Sequence, residues 1–189
     1  VNGQGDFVQG ATIGRFQNNE LGIALSWHIA NQGIQMLTKT SGNWNWSQIS
    51  SFSQDEDLSS GDIDRDGDED ILLGTHWLRN EGDSWTDLTL NSSIGLPDRN
   101  ELVDINRDGR LDAVIGYEAI STQGKVAWYE QPQNPADEWI EHLISVNEIG
   151  PMSLDVTDID FDGDIDIVIG EHNLVNPESA ECIIFENRN

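Results

Sequence analysis

Residues 157–170, with the sequence TDIDFDGDIDIVIG, join an aspartate-rich loop to a short apolar strand. The same pattern recurs without gaps at residues 61–74 (GDIDRDGDEDILLG) and 103–116 (VDINRDGRLDAVIG). Self-similar units at a regular spacing are the mark of a repeat architecture, in which each unit is one supersecondary element. The fold can therefore be predicted from the structural unit that one repeat forms.

A fourth, degenerate copy lies at residues 13–26, where the strand is kept and the acidic residues are lost. The four loops begin at positions 14, 62, 104 and 158, which gives periods of 48, 42 and 54 residues. Periods of this length suit one four-stranded propeller blade per repeat.

Two further strand-like runs follow the loop and its strand in most repeats. The third strand is expected at 34–38, 77–79, 126–130 and 182–186, and the fourth begins near a tryptophan at Trp46, Trp85 and Trp139. No segment keeps an apolar period of 3.6 residues, so almost no helix is expected. The sequence predicts an all-β fold of β-propeller-type blades, with four repeats of about four strands each.

A single repeat domain is expected over residues 1–189, with blades at approximately 5–52 (degenerate), 53–94, 95–146 and 147–189. The last blade is incomplete, because its fourth strand is missing or is supplied from elsewhere. Exposed strand edges are normally paired or covered. A partial propeller, a four-bladed ring and half of a larger assembly remain open, the last formed with further blades of a longer chain or as a homodimer.

The loops carry side-chain oxygens at positions 1, 3, 5 and 9, and a backbone carbonyl at position 7 can complete the shell. Position 6 is always glycine, which permits the positive φ that a loop needs to fold around an ion. A shell of six or more oxygens without His or Cys suits Ca²⁺ better than Mg²⁺ or zinc. The predicted ligands of about three calcium ions are Asp62, Asp64, Asp66, Asp68 and Asp70; Asp104, Asn106, Asp108, Arg110 and Asp112; and Asp158, Asp160, Asp162, Asp164 and Asp166.

The loops have two other interpretations. An EF-hand needs a bidentate glutamate at position 12, where these loops have Leu73, Ile115 and Ile169. The loops are therefore not EF-hands. Acidic turns capped only by their own side chains are the other alternative. The degenerate copy at 13–26 is not expected to bind an ion.

The net charge of −26 would repel nucleic acid and anionic lipid surfaces, so no nucleic-acid partner is expected. No apolar run is long enough for membrane insertion. The chain starts at Val1 without an initiator methionine or a signal pattern, as expected of a mature or excised piece. Cys182 is the single cysteine, and its apolar neighbours Ile183 and Ile184 predict a buried thiol.

With their DxDxDGxxD loops, these repeats resemble the FG-GAP or VCBS family of calcium-bearing propeller repeats, which also form integrin α-chain head domains. The stretches 126–132 and 139–144 are similar to VCBS-type blades of secreted bacterial proteins. The resemblance implies a propeller and calcium sites. It leaves the activity open, because such propellers serve as adhesion modules, carbohydrate binders and, occasionally, lyase or dehydratase scaffolds.

A second candidate site lies six residues beyond loop position 9, where the repeats place His28, His76, Glu118 and His172. Since strands alternate in direction, this end of the second strand lies on the face opposite the calcium loops. The four groups could converge as a polar or metal-binding ring in a ligand site. Alternatively, each histidine makes a hydrogen bond within its own blade.

The leading interpretation is a secreted, calcium-stabilised recognition module that binds carbohydrate or protein, in an extracellular or periplasmic location. The alternative is the scaffold of a carbohydrate-active lyase or dehydratase that uses the His/Glu ring. A purely structural or dimerising segment is a third possibility. No Ser-His-Asp, phosphate-loop or Cys-His pattern indicates an enzyme.

Overall fold

The computed structural model describes residues 7–54, 56–92, 95–117 and 119–188, which form four antiparallel sheets. Helical structure within these ranges is limited to two short 3₁₀ turns, Gln17–Asn19 and Pro177–Ser179. None of it has the length and apolarity that a membrane-spanning helix requires. The strands are β1 (Val8–Arg15), β2 (Leu21–Trp27), β3 (Ile34–Thr40), β4 (Asn43–Ser50), β5 (Ser59–Gly61), β6 (Asp70–Leu73), β7 (His76–Asn80), β8 (Trp85–Thr89), β9 (Pro97–Val103), β10 (Asp112–Tyr117), β11 (Val126–Glu130), β12 (Ile140–Ser145), β13 (Pro151–Thr157), β14 (Asp166–Glu171) and β15 (Cys182–Phe185).

Each sheet is a meander whose strands pair in chain order, so each repeat forms one blade. Blade 1 contains β1–β4, blade 2 β5–β8, blade 3 β9–β12 and blade 4 β13–β15. The first strands of successive blades contact one another, β1 with β5, β5 with β9 and β9 with β13. The all-β, four-blade propeller predicted by the repeat is therefore confirmed. Residues 5, 6 and 189, which bound the predicted first and last blades, lie outside the described residues.

The second strands of blades 2 and 3 are apolar on both sides because a neighbouring sheet covers each face. In β6, Ile71 and Leu73 pack toward blade 1, whereas Leu72 packs toward blade 3. In β10, Ala113 and Ile115 pack toward blade 2 and Val114 toward blade 4. Burial of both faces accounts for a continuous apolar run where a half-exposed strand would alternate.

Tryptophans near the start of the fourth strand fill the gap to the preceding blade. Trp139 is 1% exposed and belongs to the core between blades 2 and 3. Trp85 packs on the core between blades 1 and 2, where its ring meets Phe16 edge-on with centroids 5.9 Å apart. These two residues therefore pack between neighbouring blades.

Trp46 is different, because no sheet precedes blade 1 among the described residues. It is 46% exposed and does not pack between two blades. The strand register also shows that the residue of blade 1 that corresponds to Trp85 is Trp44, two positions before Trp46. Trp44 lies opposite Lys39 in blade 1 as Trp85 lies opposite Asn80 in blade 2, and Trp44 is also half-exposed.

The outward face of blade 4 is likewise open, and it carries Cys182. The expectation of a buried thiol is wrong, because Cys182 is free and exposed. Its partner across the sheet is Gly170, which pairs in turn with Ser153. An apolar stretch of sequence is buried only where a second sheet faces it, and none faces this side of β15 among the described residues.

An ionisable group lies among the first strands. Burial raises the pKa of Glu101, in β9, to about 7, and the negative charges of Asp155 and Asp57 act in the same direction. A carboxyl group whose pKa is higher in the folded than in the unfolded protein favours folding while it is protonated. Its contribution is fully present below pH 4.5 and is lost as the pH rises through about 7.

We expect Glu101→Gln to stabilise the protein at pH 8 by roughly 1–2 kcal/mol, less than the full shift because the side chain is partly exposed. At pH 4 the variant and the parent should be nearly equal, since the carboxyl is neutral in both states. Urea unfolding at both pH values, at constant calcium, measures the difference. Glu181→Gln, at the surface, is the charge-matched control. An equal effect of Glu101→Gln at both pH values would contradict the assignment.

Candidate metal centre

The aspartate-rich loops fold in the same way in blades 2, 3 and 4. In each, the position 1 carboxylate accepts the N–H of the position 6 glycine: Asp62 from Gly67 at 3.1 Å, Asp104 from Gly109 at 2.8 Å and Asp158 from Gly163 at 3.0 Å. Side chains at positions 3 and 5 accept the N–H groups two residues further on. These bonds curl the loop and turn carboxylate oxygens inward.

Two positions in each loop adopt a left-handed backbone. The position 6 glycines have φ values of 100°, 85° and 97°, which cost glycine little. Position 4 also has φ near 60°, at Arg65, Arg107 and Phe161, where each residue carries a side chain. Such conformations persist only where the surrounding structure imposes them. The hydrogen-bonded carboxylates supply that constraint.

The position 9 aspartates are the most deeply buried groups of the loops. Asp70, Asp112 and Asp166 are each 0% exposed. Asp70 accepts the N–H of Ile63 at 2.9 Å and that of Asn80 at 2.8 Å, so one carboxylate ties the loop to the end of the third strand. Asp166 makes the equivalent bonds with Ile159 and Asn187, at 3.0 and 2.9 Å.

Carboxylates at positions 1, 3 and 9 converge in two of the loops. One oxygen from each of Asp62, Asp64 and Asp70 lies within 4.8 Å of the others, and Asp158, Asp160 and Asp166 form the same arrangement. Oδ1 of Asp62 and Oδ1 of Asp158 are buried without a hydrogen-bond partner. A buried, unpaired carboxylate oxygen is costly unless it binds a cation. The residues therefore fit a hard divalent cation.

The blade 3 loop is arranged differently around positions 5 and 7. Arg110 contacts the carboxylate of Asp108 and donates from Nε to the carbonyl of Gln131 at 2.9 Å. Asn106 supplies an amide where the other two loops have a carboxylate, and it donates to Asp108 at 3.3 Å. This loop offers fewer negative charges to an ion than the loops of blades 2 and 4.

Electrostatics within the loops also favours a bound cation. Burial raises the pKa of Asp70 to about 7, against the lowering effect of the hydrogen bond from Asn80. Burial likewise raises the pKa of Asp112 to about 6, although Gln131 donates to it. Burial and the neighbouring Asp66 raise the pKa of Asp64. A divalent cation beside these groups would stabilise their charged forms.

Arginines at position 4 connect the loops of successive blades. Arg65 of blade 2 contacts the carbonyl of Gly109 in blade 3, and Arg107 of blade 3 lies 2.5 Å from the carboxylate of Asp164 in blade 4. The same position in blade 4 is Phe161, which is 90% exposed. Sequence reasoning missed these bridges, although basic residues at one position of consecutive loops were a usable signal.

The predicted His/Glu ring is described only in part, because Glu118 lies outside the described residues. Each histidine contacts neighbours in its own blade or next to it. His28 stacks on Phe7 with centroids 4.3 Å apart, the Nδ1 atom of His76 lies 2.7 Å from Asp87, and that of His172 lies 3.2 Å from the sulfur of Met152. Within the described residues, no histidine belongs to a group of three metal-binding side chains.

We expect Asp158→Asn combined with Asp160→Asn to lower the calcium stoichiometry by one ion, because both carboxylates face the same inner space. Isothermal titration calorimetry at pH 7.5 measures the number of sites. Phe161→Asn is the matched control, since it changes the same loop at an exposed position that tolerates a left-handed backbone. An unchanged stoichiometry in the double variant would show that this loop holds no ion.

Comparison with known families agrees with this architecture. Residues 104–169 match the family model described as an FG-GAP-like repeat, a segment that runs from the blade 3 loop through most of β14. No curated protein matches the chain. The matched segment contains two of the three aspartate-rich loops, and the same loop and sheet recur in blade 2. The protein is therefore a β-propeller of which residues 104–169 match an FG-GAP-like repeat.

Proposed function

We propose that this protein is a secreted recognition module in which calcium ions stabilise the blades. An FG-GAP-type propeller supports a general recognition or scaffold role. The calcium assignment rests on one observation, the convergence of three carboxylates around buried oxygens that have no hydrogen-bond partner in the loops of blades 2 and 4. The stabilising role follows because calcium ions at these positions would reduce the repulsion between the carboxylates.

Calcium at the loops offsets a repulsion that the fold itself creates. The three loops hold 14 of the 35 acidic residues, within a chain of net charge −26. Three divalent ions would bring that charge to about −20. The side chains that would hold them are those at positions 1, 3, 5 and 9, and Arg65 and Arg107 connect the loops to one another. A bound ion would thus stabilise two blades rather than one.

An extracellular or periplasmic location fits this use of calcium. Calcium sites of extracellular modules commonly operate at about 0.1–1 mM calcium, the range found outside cells. The acidic surface also keeps such a module away from nucleic acid and anionic membranes. FG-GAP-type repeats, the class to which residues 104–169 belong, are typically extracellular.

The ligand of the module is proposed as carbohydrate or protein. Trp44 and Trp46, about half-exposed on β4, provide aromatic surface on which a sugar ring or an apolar side chain could pack. Enzymatic use of the histidine positions gains no specific support from their contacts, since His76 is already held by Asp87 and packs on Phe52. Recognition is the better supported of the two roles.

We expect excess EDTA to lower the melting temperature by at least about 10 °C. Ligands that bind only the folded state stabilise it by about 2.7 kcal/mol per site at a hundredfold excess over Kd, and 1 kcal/mol is worth about 2–4 °C in a chain of this size. Calcium should restore the original melting, whereas equimolar magnesium should not. Differential scanning calorimetry makes the measurement. A melting temperature that is indifferent to chelation would exclude a stabilising role for calcium.

The histidine site can be tested by replacing His76 and His172 together with asparagine. We expect the zinc content of the purified protein and its calcium-dependent melting to stay unchanged, because each side chain contacts its own blade or the linker beside it. Elemental analysis and calorimetry provide the two readouts. Loss of bound zinc, or of binding on a glycan array, in the double variant would instead support the enzyme-scaffold or ligand-site interpretation.

A further inference from the structure

Arginine stands at loop position 4 in blades 2 and 3, where the backbone is left-handed. Arg65 has a φ of 63° and Arg107 has a φ of 60°. Glycine adopts this conformation without a steric cost, and asparagine adopts it more readily than residues with long side chains do. An arginine at such a position therefore points to a contact that only its side chain can make.

Both guanidinium groups reach the same part of the following loop, around positions 6 and 7. Nη2 of Arg65 contacts the carbonyl of Gly109. Nη2 of Arg107 lies 2.5 Å from Oδ1 of Asp164. A methyl group built on the α-carbon of Gly109 would lie 3.7 Å from the first of these Nη2 atoms, and one built on Gly163 would lie 3.2 Å from the second. The two bridges thus share one geometry, although one ends on a carbonyl and the other on a carboxylate.

Positions 6 and 7 are the part of the loop that a bound ion needs in a fixed orientation. The N–H of Gly163 donates to the carboxylate of Asp158 at 3.0 Å, and that of Asp164 donates to Oδ1 of Asp162 at 2.9 Å. The position 7 carbonyl belongs to the expected calcium shell. By holding the side chain of Asp164, Arg107 fixes the peptide groups on either side of it.

The bridge into blade 4 differs from an ordinary surface ion pair. Such pairs contribute little when both groups are exposed. Here the side chain of Asp164 is 7% exposed, whereas that of Arg107 is 52% exposed. A buried carboxylate is costly unless its charge is paired, and this one has a positive charge from another blade beside it. The pair therefore ties the conformation of the blade 4 loop to that of the blade 3 loop.

Arg107 is itself part of an aspartate-rich loop, because it lies between the predicted ligands Asn106 and Asp108. Oδ1 of Asn106 accepts the N–H of Asp108 at 3.0 Å, across the arginine. An ion held by these two side chains would fix the backbone from which the arginine extends. Arg65 has the same place in the blade 2 loop.

We propose that Arg65 and Arg107 are positioning residues for calcium, each of which holds the loop of the following blade in its ion-binding conformation. The calcium sites of successive blades are thereby coupled, and an ion in one loop raises the affinity of the next. By linkage, an ion in the second loop raises the affinity of the first by the same factor. This inference rests on the calcium assignment proposed above and adds that the sites are not independent.

The blade 2 loop provides an internal reference for this coupling. The degenerate loop of blade 1 has Gln17 at position 4, so that position offers no arginine to the blade 2 loop. The affinity of the blade 2 site should therefore depend least on the bridge between blades 3 and 4.

Each site has its own reporter, the backbone amide of its position 6 glycine. The N–H groups of Gly67, Gly109 and Gly163 donate to the position 1 carboxylates of their own loops. Heteronuclear NMR of isotope-labelled protein should show each amide resonance shifting as free calcium is raised in a buffered titration, and the midpoint gives the affinity of that loop. If none of the three amides responded in the parent protein, the calcium assignment itself would be overturned.

The variant that combines Arg107→Asn with Asp164→Asn removes the bridge and leaves the net charge unchanged. Asparagine tolerates the left-handed backbone at position 4 and keeps the carbonyl at position 7. We expect the Gly163 midpoint to rise at least about fivefold, as for ordinary coupling between sites, while the Gly67 midpoint stays within about twofold. An unchanged Gly163 midpoint, with calcium still bound, would overturn this inference alone.

The matched control combines Arg79→Gln with Glu81→Gln, which removes an ion pair that lies within blade 2. It should leave the Gly163 midpoint unchanged, because this pair connects no two loops. A rise equal to that of the bridge variant would contradict the proposal. Circular dichroism confirms that each variant is folded.

Asp104→Asn tests the coupling between blades 3 and 4. Loss of this ligand weakens the blade 3 site, and it should raise the Gly163 midpoint more in the parent than in the bridge variant, where Arg107 is already replaced. The difference between the two backgrounds measures the coupling. Equal rises in both would contradict transmission through Arg107.

Arg65→Asn provides a second, independent test at the other bridge. We expect the Gly109 midpoint to rise, because the blade 3 loop loses its contact from blade 2. Removal of a positive charge would by itself strengthen the attraction for calcium and lower the midpoint. An unchanged or lowered Gly109 midpoint would contradict the positioning role of Arg65.

Discussion

The buried aspartate at loop position 9 is the interaction on which each acidic blade depends. Asp70 and Asp166 each accept two backbone N–H groups, one from the start of the loop and one from the residue at the end of the third strand or just beyond. A single carboxylate thereby fixes the path of the chain around two turns of the blade. Loss of either oxygen would leave buried backbone donors unpaired, which costs about 1–3 kcal/mol for each donor.

Burial of this aspartate places negative charge in a poorly solvated environment, which is unfavourable unless a cation is bound nearby. A carboxylate with no exposure to solvent is hard to keep charged, and the pKa of Asp70 is raised to about 7 by burial. The aspartates at positions 1 and 3 add further negative charge within 4.8 Å. A calcium ion among them would relieve both the desolvation and the repulsion. The same loop is thus a structural clamp and a plausible ion site for one physical reason.

The sheets themselves are held together by apolar contacts between faces. Each interior blade buries both faces of its second strand, and the tryptophan near the fourth strand completes the packing on the preceding blade. The arginine bridges between loops add a polar connection along the same row. Among the described residues, no further sheet covers the outer faces of blades 1 and 4, and aromatic and aliphatic side chains such as Trp44 and Ile184 are about half-exposed there.

Much of this could be predicted from the sequence, because the repeat fixes local geometry. Aspartates at alternate positions with a glycine at position 6 determine the loop through short-range hydrogen bonds, and the apolar run after Asp70 or Asp112 determines a strand covered on both faces. The blade count and the near absence of helix follow from the same pattern. The candidate calcium ligands could be named for the same reason, since they are neighbours along the chain.

Contacts between repeats were decided only by the tertiary structure. Whether Trp46, Trp85 or Trp139 is buried depends on a preceding blade, and the exposure of Cys182 depends on what faces β15. Neither property is encoded by the residue's own neighbours in sequence. The bridges from Arg65 and Arg107 likewise join residues more than forty positions apart. The sequence by itself determined the repeat, its loops and its blades. The stacking of sheets decided which equivalent positions of the repeats are buried and which are exposed. A side chain on one sheet is buried only where a second sheet packs against the same face.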